Sequence, residues 1–221
     1  ANAGDHMGQN VFSFSFGNGP ILMLSAHGGR GAVTYLNPAN PPRGVISASN
    51  SLVGSTAGDG IGQFDEFVTG SIRAINTPGW DNGAATDAGA VSLIDLSTGT
   101  FVGTSTPIAG NISAANSLVG TFANDQVGNS GRGDSIRIVQ IGEVQQGAVM
   151  SSNWNGGRGA ITWFTLGEAL NGEISTSNSL VGSFANDFVG SGSFPVLLFN
   201  TQTLPPAPAP ARCSWPAGPA I

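Results

Sequence analysis

The chain of 221 residues has no lysine, a single cysteine and two histidines, and only 9% of its residues are charged. An average soluble domain carries charge at roughly a quarter of its positions, so solubility here falls to Ser, Thr, Asn, Gln and bare backbone. Seven arginines against thirteen acidic residues leave a net charge of −6. With no basic stripe to neutralise phosphates, nucleic acid is excluded as a partner. One cysteine excludes an internal disulfide and a cysteine-built metal cage. Apolar residues reach 40% but never run for about eighteen positions, which excludes a membrane-spanning helix. The 34 glycines lack the every-third spacing of collagen, and the apolar content is too high for a wholly disordered chain. A turn-rich, all-β protein is what remains.

Internal repetition dominates the sequence. Val45-Ile46-Ser47-Ala48-Ser49-Asn50-Ser51-Leu52-Val53-Gly54 returns as Ile112 to Gly120 and as Ile174 to Gly182, each time with Asn-Ser-Leu-Val-Gly at its end. Five residues after each final glycine stands an aspartate, Asp59, Asp125 or Asp187, and Gly4-Asp5-His6-Met7-Gly8 supplies a fourth such ending. A second motif, Gly28-Gly29-Arg30-Gly31-Ala32-Val33-Thr34-Tyr35, matches Gly156 to Trp163 at the same offset that separates Asn50 from Asn178. Two independent motifs on one offset establish duplication.

The apolar pattern within a unit has the strand period of two. Phe12, Phe14 and Phe16 fall on one face of Val11 to Phe16, with serines on the other. Further strands are predicted at Ile21 to Leu24, Ala32 to Leu36 and Val45 to Val53, punctuated by Gly, Pro and Asn. Four strands in about sixty residues predict a β-propeller-like array of about three four-stranded blades, with a β-solenoid as the alternative. The expected organisation is the end of a preceding unit at 1–8, units at 9–62, 63–128 and 129–190, the first strand of an incomplete unit at 191–203, and a Pro/Ala-rich tail at 204–221.

The late Asn-Asp-x-Val-Gly, the Trp-Asp-Asn-Gly at Trp80 to Gly83 and the Gly-Ala-Val at Gly89 to Val91 resemble the FG-GAP type of propeller blade. The Asn-Ser-Leu-Val-Gly repeat is similar to those of large bacterial surface proteins of the filamentous-haemagglutinin-like kind. The resemblance covers about residues 1 to 200, and it implies a propeller-like fold in a secreted or surface-displayed protein. It does not imply an enzyme. The calcium loop of integrin-type FG-GAP blades is absent from every unit, so no ligand set is carried over, and neither cofactor nor metal is expected.

Several residues stand out as candidate sites. Asp5, Asp59, Asp125 and Asp187 read as turn framework, a short carboxylate accepting backbone N–H groups, and Asn50, Asn116 and Asn178 read likewise. Trp80, Asp81 and Asn82, with Trp154 and Asn155, have the composition of a sugar-stacking loop, although the first unit has Ala26-His27 at the aligned place and core packing of the two indoles is the preferred reading. Arg132, Gly133 and Asp134 spell an integrin-recognition tripeptide in a stretch lengthened by insertion, where loops are extruded. Catalysis has little to work with: neither His6 nor His27 belongs to a triad signature, and Asp65 and Glu66 alternate in direction on a strand.

Toward the C-terminus, Phe194, Val196, Leu197, Leu198 and Phe199 form an orphan apolar strand that needs a sheet to join. The Pro-Ala spacer after it cannot enter a sheet interior. Beyond the spacer, Cys213 and Trp215 suit an anchoring segment. Three blades are too few for a closed propeller, which leaves three resolutions: a piece of a longer array, a ring closed by several copies, or an end strand that completes a neighbouring copy and so builds a filament, the last two by strand addition. The functional expectation is a secreted or cell-surface structural or adhesive protein that associates with itself and possesses a surface for glycans or host surface proteins. A lectin-like module is the alternative and an extracellular hydrolase a distant one.

Overall fold

The computed structural model describes residues 10–13, 19–62, 64–131, 135–141 and 143–192. The orphan strand, Cys213, Trp215, Asp5 and the tripeptide Arg132, Gly133 and Asp134 lie outside the described residues.

The architecture is all-β, with three sheets. In chain order the strands are β1 (Asn10–Ser13), β2 (Ile21–Ser25), β3 (Ala32–Leu36), β4 (Leu52–Val53), β5 (Phe64–Thr69), β6 (Ile72–Thr77), β7 (Ala90–Asp95), β8 (Thr100–Phe101), β9 (Gly110–Asn111), β10 (Leu118–Val119), β11 (Ile136–Ile141), β12 (Val144–Ser151), β13 (Ala160–Thr165), β14 (Gly172–Glu173) and β15 (Ser179–Val181). Each unit lays down an antiparallel meander: β1-β2-β3-β4, then β5-β6-β7-β10, then β11-β12-β13-β15. The third strand of each meander comes from the Gly-Ala-Val motif (Gly-Ala-Ile in the third unit) and the fourth from the Leu-Val pair.

The expected long strand from Val45 to Val53 is only two residues of strand. Ser47 to Asn50 turns instead, because the Asn50 side chain accepts the Ser47 N–H at 3.0 Å while its amide donates to the Val45 carbonyl at 3.0 Å. A side chain that satisfies the backbone locally takes it out of the ladder. Asn116 does the same with Ser113 and Asn111, and Asn178 with Ser175 and Glu173.

The residues just before these turns reach across units. β9, from the second unit, pairs in parallel with β4 of the first, Leu52 opposite Gly110 and Val53 opposite Asn111. β14, from the third unit, pairs in the same way with β10 of the second, Leu118 opposite Gly172 and Val119 opposite Glu173. Each two-residue strand is thus a hook laid on the edge of the preceding sheet. Its leading glycine sits at positive φ (+106° at Gly110, +99° at Gly172), a conformation that a side chain disfavours.

The sheets also pack face to face. Leu22, Val33 and Leu52 of the first meander share a core with Ile75, Ala90, Ile94 and Val119 of the second. Val91, Leu93 and Leu118 on the other face of that second meander share a core with Val149, Ala160, Phe164 and Ile174 of the third. The two central strands show the consequence. β7, covered on both faces, is buried from Ala90 through Ile94, whereas β13 alternates: Ala160, Thr162 and Phe164 are buried, Trp163 is exposed. Continuous burial marks a sheet covered on both sides, alternation one with a free face.

Candidate functional site

The repeated Asn-Ser-Leu-Val-Gly motif assigns one job to each position. The asparagine closes the turn that presents the hook. The serine hydroxyl bonds across to the third strand, Ser51 with Thr34 at 2.7 Å, Ser117 with Ser92 at 2.6 Å and Ser179 with Thr162 at 2.7 Å. Leucine faces forward to the next unit, and valine faces back. Glycine is required because another segment crosses at that point. A Cβ on Gly120 would strike the Ala88 carbonyl oxygen and lie 2.8 Å from the Asp125 Cβ, and Gly54 and Gly182 meet Arg30 and Arg158 carbonyls in the same way.

The aspartate that this glycine approaches is the most heavily engaged polar group of the unit. Asp59 is buried and takes hydrogen bonds from the N–H groups of Ser55 (2.6 Å) and Thr56 (2.9 Å), and from the Thr56 hydroxyl (2.6 Å). It takes one more from the N–H of Asp81 at 3.0 Å, twenty-two residues on and in the second unit. Asp125 repeats the arrangement: Thr121 and Phe122 N–H groups at 3.0 and 2.9 Å, and the N–H of Asn155, in the third unit, at 2.7 Å. Burial pushes the Asp125 carboxyl above its ordinary range, against the opposite pull of the Phe122, Asn155 and Thr121 N–H groups. The carboxylate therefore closes its own turn and ties the next unit to it.

The residue before each distant donor is a tryptophan. Trp80 and Trp154 are buried in the first and second inter-sheet cores respectively. Trp80-Asp81 and Trp154-Asn155 thus act as plugs, the indole filling the core between two sheets and the following N–H capping the preceding unit's carboxylate. A stacked sugar needs an exposed ring face, and neither indole presents one. The polar neighbours are engaged as well. The Asp81 carboxylate accepts the Asp87 N–H at 2.9 Å, and the Asn82 amide donates to the Gly120 carbonyl at 2.9 Å. Asn155 takes a left-handed conformation, φ +50°, which aims its N–H at Asp125.

In the sequence the aspartates and the tryptophans are separate features; the structure brings them together into one joint, formed twice. Among the described residues the third copy is open. Asp187 keeps the Phe184 N–H at 2.8 Å yet is exposed, and no Trp-Asx plug follows it among the described residues. Leu52 and Leu118 are 0% exposed, while their counterpart Leu180 is 63% exposed. Trp163, the counterpart of buried Leu93, is 50% exposed. Phe184 and Phe188 of the same unit are exposed too.

Other groupings are sparse. Among the described residues no cluster of three or more His, Cys, Asp or Glu gathers to hold a metal ion, and no helix is long and apolar enough to cross a membrane. His27 sits in a one-turn 3-10 segment at His27–Gly29, the place that Asn155 occupies in the third unit. An open cleft between the second and third units is lined by Leu93, Phe101, Thr104, Asn116, Leu170 and Asn171, with no titratable group.

Comparison with known families matches three segments of the chain to one repeat model. Residues 25–63, 74–129 and 148–191 each fit the model described as Repeat of unknown function (DUF5650). No curated protein matches the chain.

Proposed function

The chain belongs to the DUF5650 repeat family and carries three copies of that repeat in series, and from that premise we propose that it is a non-enzymatic structural repeat protein that associates with itself at a cell surface or outside the cell. The observation that carries this reading is the joint. The polar residues repeated from unit to unit are engaged by the fold itself: each Asn closes its own turn, each Ser bonds to the third strand of its own sheet, and Asp59 and Asp125 hold the next unit as well. A repeat whose recurring polar groups close turns and join neighbours has the chemistry of a framework that extends.

The stacking of four-stranded meanders face to face supports a propeller-like arrangement, as does the resemblance to FG-GAP blades. Parallel hooks from sheet to sheet are an addition to that scheme. The low charge, the absence of lysine and the single cysteine fit an extracellular setting, in line with the resemblance to haemagglutinin-like surface repeats. Two parts of the chain are suited to self-association: the apolar strand expected at 194–199 and the open forward face of the third unit. Sedimentation velocity over a hundredfold concentration range, with electron microscopy of the concentrated sample, tests the reading. Reversible growth in mass, as rings or filaments, is expected; a monomer at every concentration would overturn it.

A further inference from the structure

We propose that the forward face of the third unit is a docking site for a second copy of this chain, whose Gly44-Val45 segment lays itself in parallel along β15, Leu180 opposite Gly44 and Val181 opposite Val45. This rests on the self-association reading above and specifies its surface.

The inference follows from an interface already built twice. Gly44 aligns with Gly110 and Gly172, the leading glycines of the two hooks, and shares their conformation, with φ +96° against +106° and +99°. Its Cβ position is open, as theirs are. The Asn50 amide holds the Val45 carbonyl at 3.0 Å, as Asn116 holds Asn111 and Asn178 holds Glu173. The first unit therefore shapes a hook of the same geometry, yet Gly44-Val45 pairs with no strand among the described residues. Val45 is 78% exposed, an apolar residue at the position where the engaged hooks carry Asn111 and Glu173.

At the other end stands the matching half. β15 pairs with β13 on one side, and the side on which β4 and β10 receive their hooks receives none among the described residues. Leu180 and Trp163 present there the apolar surface that Leu118 and Leu93 bury against the third unit. An unpartnered strand edge beside an apolar face is a template for strand addition. A donor at one end and an acceptor at the other make the contact heterologous, so copies add head to tail.

The test uses full-length chains in a Cys213→Ser background, which removes the native thiol. One sample carries Val45→Cys, and a second, mass-tagged sample carries Val181→Cys. Oxidation of the mixture should give the mixed disulfide dimer in preference to either homodimer. Leu180→Arg should weaken association at least tenfold, the order expected for losing one buried leucine, with an unchanged circular dichroism spectrum. Three results would overturn the proposal: homodimers in statistical proportion to the mixed species, association insensitive to Leu180→Arg, or a monomer at all concentrations. In the first two the chain still associates, by another surface such as 194–199, so the self-association reading survives; in the third it fails as well.

Discussion

Replacing Asp125 by alanine and, separately, Asp187 by alanine perturbs the same motif position in two surroundings, one joined and one open. Asp125 is buried and accepts three backbone N–H groups, at 3.0, 2.9 and 2.7 Å. A buried donor left without its acceptor costs about 1–3 kcal/mol. All three donating residues are at least partly exposed, so water can take over part of the loss, and removing a buried carboxyl relieves some desolvation. A net cost of about 2–4 kcal/mol results. In a chain of this length each kcal/mol lowers the midpoint by about 2–4 °C, so Asp125→Ala should melt roughly 5–15 °C below the parent. Asp187 is exposed with one such bond at 2.8 Å, and its loss should cost no more than about 1 kcal/mol. Differential scanning calorimetry of the two variants beside the parent reads the contrast. Because a repeat array can unfold in stages, the whole endotherm is compared, and the Asp125 variant should show the third unit melting separately. Equal shifts for the two variants would refute the reasoning, since the turn alone would then explain the aspartate.

Two further predictions follow from the same geometry. Gly120→Ala should cost about 3 kcal/mol, because its Cβ would strike the Ala88 carbonyl; urea denaturation measures it, and a neutral result would mean that the two segments are not in contact. Carboxyl NMR titration should place Asp125 above the ordinary carboxylate range and Asp95 below it. For Asp95 burial raises the value but the Ser71 and Ser97 hydrogen bonds outweigh it. The signs for stability are opposite: the Asp95 contribution is present above its unfolded pKa and lost as pH falls through its lower folded value, whereas at Asp125 stability rises as pH falls from the raised folded value toward the unfolded one.

The repeat, the all-β class and the meander strands β2 and β3 were legible because duplication and a period of two are written directly in residue order. Asp59 and Asp125 as turn acceptors were legible for a similar reason: the partners lie three and four residues away. What the sequence hid was the second half of each joint. Asp59 and Asp81 are twenty-two residues apart, Asp125 and Asn155 thirty, and the donor is a backbone N–H, which no side-chain pattern reports. A signal was present in the tryptophan that precedes each donor, but an indole beside Asp or Asn has the same composition in a core as in a sugar site. The hooks escaped for another reason. Gly-Asn and Gly-Glu are too short and too polar to register as strands, and their pairing is fixed by the asparagine turn that follows rather than by their own side chains.

Residue-resolved amide hydrogen exchange tests most directly whether buried aspartates tie each unit to the next. The N–H of Asp81 lies in a loop and that of Asn155 in the one-turn segment Trp154–Gly157, both places where exchange is ordinarily fast, yet each is held by a buried carboxylate of the preceding unit. They should exchange as slowly as the core amides of β7, opening only with the unfolding of a whole unit, and Asp125→Ala should release Asn155 while leaving Asp81 protected. Loop-like exchange at both positions in the parent chain would contradict the account.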